Sequence, residues 1–562
     1  MNYLIQRTLE NRGYTDDFLR EINIASYDAL KDIDTLAVRL KEIHDEQIPI
    51  TIYPDFDMDG IAAGTTGFSG FSELGFKVNL FVPNPGEGYG ITPESIDDLL
   101  NRFPDTRVII TCDTGITAYA AADYCKKLGI ELIITDHHTQ EASINADIVV
   151  NPMRLDETYS HPKICGAFVL YQVLQYYADL YCNYFTQDQI RRLRVFAGIG
   201  TISDTMPLLY ENRQLVKDAV MITRLVYGNG STDCIVNIQG SDVYRRAFWG
   251  LYQALKVCET YGVIKSKDDI DEDFFGFYLA PIFNSTKRME GDMNKTFGVF
   301  FTNDSYRNMD YLFNLNIKRK ELIEREYKAM LDVDQPYAPY IYFSTAKSGV
   351  LGLLAMKLMN QTGMPVFVLC DDGESVDGNR YHGSGRSPEW FPCIEKLGKV
   401  ISIAGHDCAF GCGVSNKTSL ERFFRILQHD VPDAYQNADL QEEVFDFIIA
   451  TDWSADTGID IGLFDGYLDE IEQYRPFGKG FPSPNVKLEF NNNDVVEWKV
   501  MGKAKQHLKI SLMNGFDVLC WNQAHLLKQK DSFDKHTVIG HLGRSEYQGV
   551  MSVNFVGTFV EQ

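Results

Sequence analysis

Between residue 46 and about residue 210 the chain alternates two rhythms. Short apolar runs, Ile52-Tyr53, Val108-Ile109-Ile110 and Leu132-Ile133-Ile134, carry no polar alternation. That is the pattern of parallel strands buried on both faces. Amphipathic stretches such as Ala118 to Leu128 lie between them. Together they predict βαβ units and a right-handed parallel sheet. Residues 1–45 read as a helical lead-in. Residues 160 to about 330 read as mainly helical, closing with a charged helix from Ile317 to Met330 that Asp334-Gln335-Pro336 terminates. A second α/β module follows. Tyr340-Ile341-Tyr342-Phe343 and Val366-Phe367-Val368-Leu369 read as strands around a helix from Val350 to Asn360. From about residue 430 the runs shorten and alternate: Val486 to Phe490, His507 to Met513, Phe516 to Trp521 and Val550 to Val556. This is the signature of a small β-barrel.

Composition narrows the class. The 562 residues allow three to four domains of about 150 residues each. The formal charge of −25 has the wrong sign for a protein that coats nucleic acid non-specifically, though it leaves room for a local basic channel. No stretch of about 18 uncharged apolar residues occurs, so no membrane association is expected. Met1 to Arg7 lacks a secretory apolar region. The eleven cysteines form no CxxC pair and read as reduced thiols of a cytoplasmic protein.

The candidate chemistry sits at the ends of the apolar runs. Four blocks stand in order: Asp55-Phe56-Asp57-Met58-Asp59-Gly60, Cys112-Asp113-Thr114-Gly115, Thr135-Asp136-His137-His138 and Ile202-Ser203-Asp204-Thr205-Met206-Pro207. Three of them follow strand-like runs, and open α/β sheets collect ligands at the carboxyl ends of their strands. Carboxylates converging there repel one another and require a cation. Hard oxygen donors plus an imidazole suit Mn²⁺ or Mg²⁺. On an extended segment the alternate spacing of Asp55, Asp57 and Asp59 would put all three on one side. Each block also has a plain reading: a solvated Asp-rich turn, a helix N-cap at Asp136, a satisfied histidine at His137. An EF-hand is a further option, but its closing Glu would fall on Thr66. Each block is weak alone; four in order on one α/β pattern are not.

The assembled set resembles the DHH phosphoesterase superfamily, whose name-giving motif stands here as Asp136-His137-His138, and within it the RecJ-like branch of single-strand-specific 5′→3′ DNA exonucleases. Val82-Pro83-Asn84 with Glu87-Gly88-Tyr89-Gly90-Ile91, Asn151-Pro152, Cys165-Gly166-Ala167, Glu211-Asn212-Arg213, and Leu279-Ala280-Pro281 with Asn284 and Arg288-Met289 carry the same resemblance. Gly383-Ser384-Gly385-Arg386-Ser387 and Gly405-His406 resemble the accessory DHHA1 domain. Arg475-Pro476-Phe477-Gly478-Lys479-Gly480 and His507-Leu508-Lys509 resemble the RecJ OB-fold. The sequence is also similar to phage-borne variants of this branch. Pro54, Lys347, Ala404 and the stretch Ser285-Thr286-Lys287 depart from the family pattern.

The resemblance implies an α/β fold in five parts: a lead-in at 1–45, a parallel-sheet DHH domain at 46–310, a connector helix at 311–335, a DHHA1 domain at 336–428 and an OB-like barrel at 429–562. It implies two divalent ions, Mn²⁺ or Mg²⁺. Asp57 would hold one and Asp59 the other, with Asp113 bridging them, His137 and Asp204 completing the second, and Asp55 a further metal ligand or a group supporting the ligands. Asp136 would orient His137, and His138 would face the scissile phosphate or the leaving oxygen. Arg288, Ser384, Arg386 and His406 would bind substrate, Arg386 from a glycine-rich loop. Lys499, Lys503, Lys505, His507 and Lys509, with Trp498 and Trp521 as stacking surfaces, would contact single-stranded DNA. The implied activity is two-metal hydrolysis of single strands from the 5′ end, releasing 5′-mononucleotides, in DNA repair, recombination or phage DNA metabolism. A single-strand-binding protein or a helicase is the implied protein partner. Two rival readings stay open: a phosphodiesterase for oligonucleotides or cyclic dinucleotides, and a non-catalytic replication scaffold.

Overall fold

Three β-sheets organise the chain in the computed structural model. It describes residues 8–15, 18, 30–83, 90–228, 239–346, 348–371, 373, 378–437, 446–450, 461–502, 505–513, 516–521, 523–529, 534–547 and 550–559. Of the motif residues above, Asn84 to Tyr89, Lys347 and Lys503 lie outside them. The chain forms two compact units, each discontinuous in sequence. One comprises residues 25–204 and 218–440, the other residues 1–24, 205–217 and 441–562.

The larger unit holds the first two sheets. The first contains β1 (Ile50–Pro54), β2 (Val78–Leu80), β3 (Val108–Cys112), β4 (Glu131–Thr135) and β5 (Ile148–Val150), in the order β2-β1-β3-β4-β5. Every pairing is parallel. The β-branched runs predicted as buried strands are buried along their full length in β1 and β3, because helices cover both faces. On one face α3 (Pro93–Arg102) and α4 (Tyr119–Leu128) close over Ile109, Leu132 and Ile134. On the other lie α1 (Ile33–Asp45), α2 (Met58–Glu73), α5 (Gly166–Tyr181) and α6 (Arg194–Ser203). The glycines of α2 let α5 approach closely: a Cβ at Gly67 would lie 2.8 Å from the Leu170 side chain. The order of strand addition reverses after β2, with β3 placed on the other side of β1, which puts the switch point of the sheet between β1 and β3.

Two long helices follow, α7 (Asp242–Thr260) and α8 (Ser305–Asp332). The charged stretch from Ile317 is only the second half of the 28-residue α8. Its first half carries apolar residues that bury Met309, Leu312 and Phe313.

The second sheet contains β6 (Ile341–Phe343), β7 (Val366–Asp371), β8 (Tyr381–Arg386), β9 (Ser402–His406) and β10 (Ala409–Val414), in the order β6-β7-β8-β10-β9. β6 and β7 are parallel and the remaining pairs antiparallel. Helix α9 (Ser348–Thr362) packs on one face with Met330 and Tyr342, and α10 (Lys417–Asn437) on the other with Phe367 and Phe410. The glycine cluster expected to be a loop is strand β8. Its glycines answer crowding: a Cβ at Gly383 would collide with the Val368 carbonyl, and one at Gly385 with the Phe410 ring.

The smaller unit is built on a seven-stranded sheet ordered β11-β12-β16-β17-β15-β14-β13. Its strands are β11 (Phe447–Ala450), β12 (Val486–Asn491), β13 (Val495–Met501), β14 (His507–Leu512), β15 (Asp517–Cys520), β16 (Lys535–Tyr547) and β17 (Val550–Phe559). Alternate residues face one core of Leu488, Phe490, Leu508, Ile510, Val518, Val538 and Phe555. The expected barrel is half a barrel: among the described residues no ladder joins β11 to β13. Just before β11, Asp446 accepts two hydrogen bonds from Arg12, at 2.9 and 2.6 Å. Arg213 donates to the carbonyls of Pro476, at 2.7 Å, and Tyr474, and stacks on Phe481. The Arg475–Gly480 motif is thus a docking turn for residues 205–213. Among the described residues no helix is long and apolar enough to cross a membrane.

Candidate metal centre

Three acidic residues each stand one position past a strand: Asp55 after β1, Asp113 after β3, Asp136 after β4. Their backbone N–H groups continue the ladder, donating to Cys112 O (3.1 Å), Thr135 O (3.0 Å) and Val150 O (3.2 Å) respectively. The sheet register therefore sets their spacing. Asp113 adopts φ 63°, a left-handed conformation that costs a non-glycine residue about 1–3 kcal/mol and concentrates at functional sites.

The Asp55/Asp57/Asp59 triplet is not one extended segment. Asp55 ends the strand, Asp57 is the N-cap of α2, and Asp59 lies in the first helical turn. The Asp57 Oδ1 accepts from the N–H groups of Asp59 (3.0 Å) and Gly60 (3.2 Å). Asp59 points to the N-terminus of α5, where Gly166 N–H and Ala167 N–H donate to it at 2.7 and 3.2 Å. Three glycines make room for these acidic residues: a Cβ at Gly60 would strike the backbone carbonyl of Asp55, one at Gly166 the side chain of Asp113, and one at Gly200 the carboxylate of Asp59.

His137 Nε2 lies 3.0 Å from Asp113 Oδ1, 3.6 Å from Asp204 Oδ2 and 3.9 Å from Asp59 Oδ2. Asp204, the C-cap of α6, is partly exposed. Three overlapping groups could each hold an ion: Asp55/Asp57/Asp113, Asp59/His137/Asp204 and Asp113/His137/His138. The sequence-predicted acidic and imidazole residues thus meet in one place. The part expected of Asp136 is corrected. Its Oδ1 binds the ring of the other histidine, His138, through Nδ1 at 2.7 Å. Toward His137 it accepts only the backbone N–H, also at 2.7 Å, while Oδ2 takes Ile116 N–H at 2.9 Å.

The electrostatics show a site lacking positive charge. Both Asp55 oxygens and Asp113 Oδ1 are buried without a well-formed hydrogen bond. Burial, then the neighbouring Asp57 charge, pushes Asp55 up to about 7. Burial and the surrounding carboxylates push Asp113 well above the usual carboxylate range, and burial raises Asp59. Burial holds His137 below its ordinary value, the neutral form that ligates metal. Burial opposes charge on His138, but its bond to Asp136 outweighs this and lifts it to about 9. Orphaned buried carboxylate oxygens beside a neutral imidazole fit a pair of hard divalent cations.

A basic cluster lies in the same unit. Arg288 donates to Gly349 O at 3.3 Å, and Arg386 to Gly385 O at 2.7 Å. Burial depresses both guanidinium pKa values; the Asp57 charge counters this at Arg288, whereas the charge of Arg288 adds to it at Arg386. The Arg386 Nε is buried without an acceptor. Gly352 of α9 leaves its space open: a Cβ there would lie 2.8 Å from Arg386 Nη2. Ser384 shares the Arg386 face of β8 by strand alternation. His406 pairs with Ala409, which also pairs with Arg386, so the two backbones stand two strands, about 10 Å, apart. The His406 side chain lies outside the described set.

A third arginine escaped the sequence reading. Arg319 of α8 is buried, bound twice to Asn316 Oδ1 at 3.0 and 2.7 Å, and pushed down to about 10 by burial and then by Arg288. Its signal was the buried stripe Leu312-Asn316-Arg319, where polar residues continue an apolar period. In the smaller unit, Trp521 is exposed with His507 edge-on at 4.8 Å, whereas Trp498 packs against the sheet core. Lys499 faces Lys509 across β13 and β14, and Lys509 pairs with Asp517 at 2.6 Å.

Comparison with known proteins agrees with this geometry. The family model described as DHH family, N-terminal domain, matches residues 49–195, and the RecJ OB domain model matches residues 463–557. The single-stranded-DNA-specific exonuclease RecJ of Bacillus subtilis is 24% identical over 97% of this chain, which spans 65% of that relative. RecJ of Haemophilus influenzae is 24% identical over 99% of this chain and 94% of its own. The crystal structure of RecJ with Mn²⁺ from Thermus thermophilus superposes with a TM-score of 0.73 at 22% identity, covering 99% of this chain and 75% of that one. Residues 49–195, with the parallel sheet, acidic strand ends and Asp-His-His turn, thus match a DHH-family N-terminal domain. With the RecJ OB domain match at residues 463–557 of the same chain, the sequence is RecJ-like.

Proposed function

We propose that this chain is a metal-dependent exonuclease that hydrolyses single-stranded DNA from the 5′ end and releases 5′-mononucleotides. The observation that carries the reading is a cluster of carboxylates around Asp113 and His137, with unanswered buried oxygens on Asp55 and Asp113, at the switch point of a parallel sheet. Asp55 and Asp57 would hold one divalent ion, Asp59, His137 and Asp204 a second, and Asp113 both. Bound Mn²⁺ or Mg²⁺ would supply the positive charge that an in-line displacement at phosphorus needs on its attacking and leaving oxygens.

The remaining groups act on the strand itself. His138 is held by Asp136 and carries its proton to about pH 9. It can therefore donate a hydrogen bond or a proton toward the phosphate or the departing oxygen at neutral pH. Arg288, Arg386 and Ser384, with His406, would grip phosphates next to the cleaved bond. The exposed Trp521 with its basic neighbours would stack bases further along the strand. Ten cysteines are free among the described residues, which suits a reducing cytoplasm. A single-strand-binding protein or helicase would deliver the substrate.

Digestion of 5′-labelled and 3′-labelled single strands with Mn²⁺ or Mg²⁺, beside duplex DNA, RNA and dinucleotides, tests the reading. Immediate release of labelled mononucleotide from the 5′ end, lost in Asp113→Ala, is expected. Preferred cleavage of dinucleotides, or no metal-dependent hydrolysis of any substrate, would refute it.

A further inference from the structure

We propose that Lys287 is a substrate-phosphate contact of the metal centre, a cation that the protein itself sets beside the divalent ions. The inference rests on the reading of this site as a phosphodiester hydrolase. The Lys287 ammonium stands 4.2 Å from the centroid of the Phe56 ring. Phe56 is buried and lies between Asp55 and Asp57. A cation over an aromatic face is attracted by the ring quadrupole and held at a defined spot. The short helix that carries Lys287 is fixed to the same place by a second bond: Asn284 Oδ1 accepts the Met58 N–H at 2.7 Å, at the start of α2. Lys287 is thus tied at both ends to the segment that carries three candidate ligands.

Its position lets it meet a ligand that arrives from solvent. The charge of Lys287 is felt at Asp55, yet neither Asp55 oxygen receives a well-formed hydrogen bond. The ring thus holds the ammonium beside the carboxylates. Lys287 is exposed, whereas the next residue, Arg288, is partly buried and directed toward Gly349. Two consecutive cations thus flank the acidic ladder, one at the surface where a strand arrives and one built into the protein. A compact ammonium with three donors is well suited to a phosphate oxygen as a point charge.

The test compares Lys287→Ala, Lys287→Met and Lys287→Arg with the unchanged full chain, each checked by thermal melting. Hydrolysis of an oligothymidylate strand is followed across Mn²⁺ and salt concentrations. Loss of the contact should raise KM about tenfold with kcat within about twofold. The slope of log(kcat/KM) against log salt should become shallower by about 0.7, the share of one single-strand phosphate. The Mn²⁺ midpoint should not move, and Lys287→Arg should recover most of the affinity. A shifted Mn²⁺ midpoint with unchanged KM would make Lys287 a counter-charge for the carboxylates and overturn the proposal. Unchanged behaviour in all variants would overturn it too, while an active parent chain with an inactive Asp113→Ala control left the exonuclease reading standing. A parent chain that neither binds nor cleaves single strands would bring down both.

Discussion

The acidic cluster at the ends of β1, β3 and β4 and the arginine cluster of Arg288, Arg319 and Arg386 pose the same electrostatic problem with opposite signs. Each gathers like charges away from water, which is costly unless a partner arrives. They are held differently. Three of the carboxylates are fixed by backbone N–H groups: Asp57 by Asp59 and Gly60, Asp59 by Gly166 and Ala167, Asp136 by Ile116, His137 and His138. Among the described residues the guanidiniums donate to neutral oxygens, those of Gly349, Gly385 and Asn316. Backbone donors cannot move, so the acidic end is set for ions of fixed coordination. Flexible side chains on carbonyls suit an anion whose oxygens can be met in several ways. A phosphodiester with its metal ions answers both needs at once.

The sharpest way to break this comparison is to remove the shared carboxylate. Asp113→Ala should lower kcat by at least about a thousandfold, the scale of losing a preorganised electrostatic stabiliser, while single-strand binding persists; strand cleavage and anisotropy measure the two. Next comes the space around that carboxylate. Gly166→Ala puts a methyl group against Asp113 and disturbs the bond to Asp59. Mn²⁺ affinity by calorimetry should fall about 10- to 100-fold, as for groups that orient metal ligands. At the basic end the expected effect is smaller and of another kind. Arg386→Ala should weaken single-strand binding about tenfold and flatten its salt dependence by roughly one phosphate contact, with Mn²⁺ affinity unchanged. Equal losses of metal affinity from Gly166→Ala and Arg386→Ala would erase the distinction between the two clusters.

The acidic end also predicts a pH signature. Asp55 is raised from 3.8 to about 7 by burial and then by Asp57. Its neutral form is thus favoured in the folded chain. Without metal, the stability this proton contributes is complete below about pH 4 and is lost as pH rises through about 7. Metal must displace the same proton, so its binding strengthens over that interval. The rise in Tm caused by Mn²⁺ should therefore grow from pH 5.5 to 8 (roughly the window of this one group). An increment independent of pH would separate Asp55 from the metal centre.

Much of the site was legible before any coordinates. Strand ends are marked by the switch from apolar run to acidic residue, and that switch located Asp55, Asp113 and Asp136. Partners across the fold were less legible. Asp136 binds the ring of His138 rather than that of His137, because the turn after β4 curls His138 back over it. Arg386 was read as part of a loop because glycine commonly marks turns. In β8 the glycines instead relieve contacts with Val368 and Phe410, which come from β7 and β10. Arg319 was hidden because a charged residue on a charged helix reads as solvated, and only the packing around α8 shows it buried.

The sequence by itself determined what local pattern can encode. Runs of β-branched residues made parallel strands, alternating runs made the C-terminal sheet, and acidic residues marked the strand ends. Tertiary structure alone decided which charges meet and which are left unanswered. His137 reaches Asp59, Asp113 and Asp204, from distant parts of the chain, because strand register and helix packing bring those segments together. Glycines at 166 and 200 matter only because another segment's carboxylate occupies the space a Cβ would fill. Hydrophobic periodicity is a property of neighbours in sequence, whereas Coulomb repulsion and steric exclusion depend on neighbours in space.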